Sequence, residues 1–292
     1  MHKDYMKKIK MSGPELFESY YKSVWLDRWD KLKDAFKGEG QKVYRANVWA
    51  KPKTGSKEVI PGCFESEEIA VTEEGIKNFY LMDPASVIVA RNLDIIPNSR
   101  VLDMCAAPGG KSLILFEKLI DGGELICNEL SRTRKERLRR VIGEYIPEDE
   151  RVRIDIRGFD GNKYGIHLKD EFDYVLLDAP CSGERHLLDS PTELEKWSEK
   201  RTKRLALNQF SLLCSAFLTV KSGGEIVYST CSLSPLENDD VIEKLIAKKG
   251  DEVEILPPLE TYGLGESTKY GQIFLPDQCG FGPLYFCRLK KN

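Results

Sequence analysis

The stretch Val101-Leu102-Asp103-Met104-Cys105-Ala106-Ala107-Pro108-Gly109-Gly110-Lys111-Ser112 decides the fold. It reads as a short apolar strand over 101–105, a glycine-rich turn, and a helix over 111–120. These are the parts of a nucleotide-binding corner: glycine lets the backbone approach a ligand, and a helix N-terminus favours anionic groups. Two common versions of the corner are excluded. A Walker loop needs Gly five residues before Gly110, where this chain has Cys105. The dinucleotide fingerprint Gly-x-Gly-x-x-Gly is absent as well.

Working outward, strands are expected at 124–130, 152–156, 172–179, 225–229 and 284–289. Helices are expected at 132–146, capped by Ser131, at 193–220 with an interruption or bend, and at 238–249. The run 172–179 is nearly all apolar, as a strand buried on both faces requires. Regular alternation of strand and helix predicts an α/β layer sandwich with a mainly parallel sheet. Upstream, Leu16, Phe17, Tyr20, Tyr21, Val24, Trp25 and Trp29 recur at spacings of three and four, which predicts one amphipathic helix over 14–37 with the aromatic stripe as core. Residues 38–75 are rich in Gly and Pro and read as short strands and loops.

In a parallel sheet the site lies beyond the strand C-termini. Glu129 ends the second strand there, at a distance from the glycine turn that suits an acid holding ribose hydroxyls, and Asp160 follows the third strand and can reach an adenine amino group. The ligand therefore reads as a ribose-containing molecule without the phosphate loops, such as adenosine with a sulfonium tail. Two further strand ends carry Leu177-Asp178-Ala179-Pro180-Cys181-Ser182-Gly183 and Tyr228-Ser229-Thr230-Cys231-Ser232. Both cysteines should face the crevice, as a redox pair, as metal ligands, or as a nucleophile and its helper. His167 and His186 lack partner spacing, so a metal is not expected. A cysteine flanked by polar turns has the surroundings a thiolate needs.

Together, Asp-x-Cys-Ala-Ala-Pro-Gly-Gly-Lys-Ser, Asp-Ala-Pro-Cys-Ser-Gly and Tyr-Ser-Thr-Cys-Ser-Leu-Ser-Pro-Leu-Glu-Asn closely resemble the Nop/Sun family of RNA cytosine-5 methyltransferases. Phe79-Tyr-Leu-Met-Asp83-Pro-Ala-Ser86 is similar to the segment preceding that family's catalytic core. The N-terminal aromatic segment, the Gly183-Glu184-Arg185-His186 continuation and the ending Gly280-Phe-Gly-Pro-Leu-Tyr-Phe-Cys-Arg-Leu resemble its short mitochondrial-type members.

The resemblance implies a Rossmann-like seven-stranded sheet, mainly parallel with an antiparallel last strand. An N-terminal helical and mixed extension (1–98), contributing to RNA binding, would precede a catalytic domain (99–292). S-adenosylmethionine would be held by Cys105, Ala106, Ala107, Pro108, Gly109, Gly110 and Lys111, with Glu129, Arg134, Asp160 and Asp178. Cys231 would be the nucleophile and Cys181 the helper in product release. Asp178 would assist at the base, and Lys111 would orient either the base or Asp178. The implied substrate is RNA, ribosomal before transfer RNA, and the chain is expected to act as a monomer. A cofactor-binding assembly factor with little catalysis, and a methyltransferase acting on protein or small molecules, are the other readings. The paired thiols argue against the last, because amine and hydroxyl acceptors need no thiol adduct.

Composition agrees with a globular catalyst. The 292 residues are 41% hydrophobic and 31% charged. Forty-four basic against 47 acidic residues leave a net charge of −3, which excludes a whole-chain polycation but not a local basic surface. Two such sets are Arg132, Arg134, Lys135, Arg137, Arg139, Arg140, Arg151, Arg153 and Arg157 within 131–157, interleaved with Glu136, Glu144, Glu148, Asp149, Glu150 and Asp155, and, nearer the cysteine motifs, Lys196, Lys200, Arg201, Lys203 and Arg204. With Arg185 and His186, the second is the expected RNA side. The eight cysteines form no Cys-x-x-Cys pair, which predicts free thiols in a reducing compartment. No apolar run is long enough to span a membrane. Residues 1–10 lack an apolar secretion segment, so the expected location is cytoplasmic, with a mitochondrial one as the alternative.

Overall fold

A computed structural model describes residues 12–38 and 40–292; the reading of residues 1–10 lies outside them. The chain opens with α1 (Gly13–Trp25) and α2 (Trp29–Ala35). A small antiparallel sheet follows, made of β1 (Val43–Ala46), β2 (Glu58–Ile60), β3 (Cys63–Phe64) and β4 (Phe79–Met82) in the order β2-β3-β1-β4, and α3 (Pro84–Arg91) leads out of it.

The main body then alternates. It runs β5 (Arg100–Asp103), α4 (Gly110–Glu117), β6 (Glu124–Asn128), α5 (Arg132–Tyr145), β7 (Ile154–Arg157), α6 (Tyr164–His167) and β8 (Phe172–Asp178). Next come α7 (Glu184–Asp189), α8 (Pro191–Glu195), α9 (Glu199–Thr219), β9 (Val220–Thr230), α10 (Asp239–Lys249) and β10 (Val253–Leu256). The chain closes with β11 (Glu266–Ser267), β12 (Gln272–Phe274), α11 (Pro276–Cys279) and β13 (Leu284–Lys291). The sheet order is β11-β12-β13-β9-β8-β5-β6-β7, with β10 also on β13. Strands β7, β6, β5, β8 and β9 are mutually parallel, and β13 is antiparallel to β9. This is the expected mainly parallel Rossmann-like core with an antiparallel β13, but the sheet has nine strands where seven were expected, because the short β10, β11 and β12 add antiparallel pairings on the β13 side.

Period-two alternation sends neighbouring residues to opposite faces. Leu102, Ile126, Val175, Leu177, Ile226 and Tyr228 pack against α9 and α10, together with Phe17, Tyr21 and Trp29 from the N-terminal helices. Val101, Leu125, Leu176 and Val227 pack against α3, α4 and α5. The N-terminal helices thus complete one of the two layers of the core.

Two expectations change, and one gains its position. The single helix over 14–37 breaks after Trp25 into a 3₁₀ turn, with Leu26 at φ 51°. Along a helix a series at i+4 drifts by about 40° per step, so Trp29 on a straight helix would sit about 80° around from Tyr21. The break returns Trp29 to stack on Tyr21, with ring centroids 5.2 Å apart. The interruption expected in the helix at 193–220 falls between α8 and α9, where Trp197 turns into the same aromatic cluster. Strand β10, absent from the sequence reading, is four residues long and half-buried at a sheet edge, which leaves it little periodic signal.

Candidate active site

The turn after β5 is shaped by two glycines. Gly109 sits at φ 119° and caps α4 without a side chain. A Cβ on Gly110 would lie 2.6 Å from Tyr80 Cε1, so the ring of Tyr80 closes directly over the backbone. Asp103, at the end of β5, is buried; its Oδ2 accepts the Ser112 hydroxyl at 2.7 Å, and its Oδ1 has no hydrogen-bond partner. Burial pushes its carboxyl up to about 7; the Ser112 bond opposes that shift and the Asp178 charge adds to it. Asp103, Cys105, Lys111 and Asp178 line a pocket of about 220 Å³ with Tyr80 and Ser86.

Glu129 follows β6 and is almost fully buried, its Oε1 accepting the Ser131 N–H at 2.8 Å. Arg134 lies 3.5 Å from Glu129 Oε2 and donates to the Ala107 carbonyl at 2.7 Å, so it braces the glycine turn from α5. Asp160 holds Asn162 through its Oδ1 and lines a separate pocket of about 560 Å³ with Phe159, Tyr164 and Lys163. A residue that sequence reasoning missed joins these turns: buried Asn128 donates to the Met104 and Phe159 carbonyls and accepts the Phe159 N–H.

The second half of the site comes from β8 and β9, paired in register at Asp178 and Ser229. Parallel neighbours release their loops at the same end, which brings Cys181 and Cys231 together. Their sulfurs are joined, with Cα atoms 6.1 Å apart, and the Cys231 N–H also points at Cys181 Sγ at 3.2 Å. The expectation of free thiols throughout is therefore corrected for this pair, because the loop register places the sulfurs in bonding range. Cys63, Cys105, Cys127, Cys214, Cys279 and Cys287 are free. Asp178 lies between cysteines and glycine turn, accepting from Lys111 Nζ at 2.7 Å on one oxygen and from the Ser229 hydroxyl at 2.8 Å on the other. Lys111 thus pairs with Asp178.

Cys231 opens into a pocket of about 370 Å³ with Asp83, Ser86, Arg185, His186 and Pro283. Ser86 belongs to both this pocket and the one beside the glycine turn. The β4–α3 corner and the residues before β13 stood out in the sequence only by resemblance, with no site role assigned, and they meet here: Asp83 accepts the Ala85 and Gly282 N–H groups at 2.8 and 3.0 Å. Arg185 stacks over Phe36 and donates to the Gly282 carbonyl at 3.0 Å, fastening the N-terminal segment to the pocket wall. Of the second basic set, Lys196 and Arg201 face Glu193 and Lys203 pairs with Glu199 at 2.7 Å, so part of its charge is already balanced.

A profile of the family described as 16S rRNA methyltransferase RsmB/F matches residues 90–290. The chain belongs to this family. Among relatives of the RsmB/F chain, the 5-cytosine rRNA methyltransferase NSUN4 of Bos taurus is 36% identical over 231 residues, 74% of this chain and 60% of that protein. The mitochondrial tRNA (cytosine(34)-C(5))-methyltransferase of Danio rerio is 36% identical over 227 residues, 74% of this chain and 61% of that protein. The matched region spans about three fifths of these relatives' length. In fold, the RsmB/F chain is similar to a methyltransferase homolog protein from Pyrococcus horikoshii, with a TM-score of 0.77, 23% identity and 95% of each chain covered. It is also similar to NSun6 from Pyrococcus horikoshii with SFG, with a TM-score of 0.76, 18% identity, and 95% of this chain and 98% of that one covered.

Beneath its two cysteines the RsmB/F chain buries a pair of carboxyls, Glu184 and Glu237, both without solvent exposure. Glu184 was visible in the sequence only within the Gly183–His186 continuation that resembles the short members, and Glu237 only as a letter of a motif.

Proposed function

We propose that this chain is an S-adenosylmethionine-dependent RNA cytosine-5 methyltransferase, acting on ribosomal RNA in preference to transfer RNA. The observation that carries the reading is the meeting of Cys181 and Cys231 beside a Lys111–Asp178 pair at the mouth of the glycine turn. The residues of that turn suit the cofactor: Asp103, which keeps a buried oxygen without a partner, and Gly110 line the same pocket, with no side chain on Gly110 to take up its space. Cys105 to Lys111 would hold the methionine end, Glu129 the ribose, with Arg134 bracing the turn, and Asp160 the adenine in its neighbouring pocket.

Carbon 5 of cytosine is a weak nucleophile. The Cys231 thiolate adds to carbon 6, forming an S–C bond and moving an electron pair to carbon 5. When bound, S-adenosylmethionine supplies the sulfonium methyl that this carbon takes. The Asp178 carboxylate accepts from the base amino group, and the Lys111 ammonium offsets the negative charge developing on the ring. The proton on carbon 5 then passes to Cys181 or to a water beside it, and the returning electron pair expels the Cys231 thiolate. The pyrimidine must leave its stack to present its face, and the pocket around Ser86 and Pro283 receives it. RNA approaches from the side of Arg185, His186 and the start of α9, and the N-terminal helices contribute to its binding.

This chemistry needs both sulfurs reduced. A thiol reductant delivers two electrons and two protons to the joined pair, which suits a reducing compartment, cytoplasm or mitochondrial matrix. The joined sulfurs are also the one observation that favours a cofactor-binding assembly factor with little catalysis. Incubation with RNA, labelled cofactor and dithiothreitol separates the two. Transfer of label by wild type but not by Cys231→Ser supports the methyltransferase; equal transfer by both, or none by wild type, overturns it.

A further inference from the structure

Glu184, the first residue of α7, and Glu237, just before α10, lie together under the cysteine loops, and neither has a cationic partner within ion-pair distance among the described residues. Glu184 Oε1 accepts hydroxyls from Tyr21 of α1, from Ser182, and from Ser232 at 2.9 Å, while its Oε2 accepts the Leu233 N–H at 3.1 Å. Glu237 Oε2 accepts the Ser182 N–H at 3.0 Å and the Gln209 amide at 2.7 Å. Its Oε1 lies 3.1 Å from Ser232 Oγ.

Counting protons around Ser232 assigns the charge. Its hydroxyl has one hydrogen, and Glu184 Oε1, crowded with donors, is the acceptor that two other hydroxyls also choose. Ser232 Oγ accepts the Ser234 N–H at 3.0 Å; the Ser182 hydroxyl, also 3.0 Å away, has its one hydrogen on Glu184 Oε1, so a second Ser232 lone pair is left over. If Glu237 were ionised, its Oε1 would face that lone pair. A proton on Glu237 Oε1 completes the set, donating to Ser232, which donates to Glu184. Ser182 and Ser232 directly follow Cys181 and Cys231, so the same bonds fix both sulfur-bearing backbones.

We propose that Glu184 and Glu237 form a clamp holding a single proton, with Glu184 charged and Glu237 neutral, that positions Cys181 against Cys231 and is completed by the Tyr21 hydroxyl of the N-terminal helix. Both are positioning residues, and their catalytic consequence rests on the roles given above to the cysteines. The surroundings agree. Burial, and next the Glu184 charge, push Glu237 up to about 7, against the Ser182 and Gln209 bonds. Burial and Glu184 raise Tyr21 well above its ordinary range, so its hydroxyl stays a donor. The other titratable groups facing the clamp are Tyr20, bonded to Ser234 at 2.7 Å and pushed up to about 12 by burial; Tyr228, donating to the Glu237 carbonyl at 2.6 Å; and the Glu199 carboxylate, near Tyr20. None of them is a cation.

The test compares Glu237→Gln, Glu184→Gln and Tyr21→Phe in the reduced full chain. A glutamine amide at 237 reproduces the donor to Ser232. Glu237→Gln is therefore expected to keep kcat within about threefold, and its melting temperature relative to wild type should climb between about pH 5 and about pH 8, where wild type loses the clamp proton. It should also remove one protonated-carboxyl C=O band from the infrared spectrum. Glu184→Gln and Tyr21→Phe should lower kcat by about 10–100-fold at unchanged cofactor KM. A melting gap constant with pH and an unchanged infrared spectrum would overturn the clamp. So would equal kcat losses in Glu184→Gln and Glu237→Gln. The melting and infrared readouts need no catalysis, so they stand apart from a failure of the cysteine mechanism, which Cys231→Ser reports.

Discussion

The glycine turn and the cysteine pair are two halves of one crevice, but they are built differently. The turn is local: Asp103 and Ser112 are nine residues apart, and the helix that supplies Ser112 starts within the same motif. The cysteine half is closed over long distances. Ser182 meets Ser232 across 50 residues, and Tyr21 reaches Glu184 across 163. Each half buries a carboxyl pushed up to about 7, Asp103 in one and Glu237 in the other. Asp103 keeps an oxygen without a partner, whereas every oxygen of Glu184 and Glu237 is occupied. The turn is open to a ligand, and the cysteine half is finished before any ligand arrives.

The largest effect separates chemistry from binding. Cys231→Ser should reduce methyl transfer to background while cofactor binding, followed by calorimetry, stays at wild type. Cys181→Ala should instead accumulate a covalent RNA–protein species on denaturing gels, and a clean gel would count against its release role. Asp178→Asn, which weakens the bond to Lys111, should lower kcat by about 10²-fold or more in single-turnover assays. If it lowers only cofactor affinity, Asp178 belongs to the turn and not to the base.

Gly110→Ala should act on the turn alone. Its Cβ would meet Tyr80 at 2.6 Å, costing about 1–3 kcal/mol in thermal unfolding and weakening cofactor binding. Asp103→Asn tests the open half by pH. The folded carboxyl titrates about 7, above the ordinary 3.8, so the native state holds a proton that the unfolded chain has lost. That stability is fully present below the unfolded value and is lost as pH rises through the folded one, at most about 4 kcal/mol in all. Asp103→Asn should flatten the fall in melting temperature across that window, and saturating cofactor should change the slope in wild type but not in the variant. The smallest effect is expected from Arg134→Ala, which removes the bond to the Ala107 carbonyl. A loss of about 1 kcal/mol in cofactor affinity, with kcat kept, would place Arg134 as a brace of the turn.

Much of this was legible from residue order. The alternation of elements after Arg100 announced the parallel sheet, and the motifs picked out Cys231, Cys181, Asp178 and the glycine turn, which the fold brings to one crevice. The rest failed for identifiable reasons. Lys111 could reach toward the base or toward Asp178, and its 2.7 Å contact with the carboxylate depends on how β5 and β8 pair. Arg134 bonds a carbonyl 27 residues earlier, a contact that depends on how α5 packs. Arg185 reads as a free cation for RNA, and its stacking on the Phe36 ring and its bond to the Gly282 carbonyl, which fix its direction, are set by distant segments. Trp29 fits a continuous helical stripe, and the helix breaks because stacking on Tyr21 outweighs that continuity.

The amino-acid order by itself determined what covalent neighbours and short periods control. These are the alternation that sends Leu102 and Val101 to opposite faces, the left-handed Gly109 that starts α4, and the placement of both cysteines at strand ends. Tertiary structure alone decided which strands are neighbours, and so that Cys181 meets Cys231. It also decided that Glu184, Glu237 and the N-terminal Tyr21 share one sealed polar network. The reason is physical. A carboxyl's charge, proton and partners are set by who surrounds it once water is removed, and those surroundings do not exist until distant segments have packed.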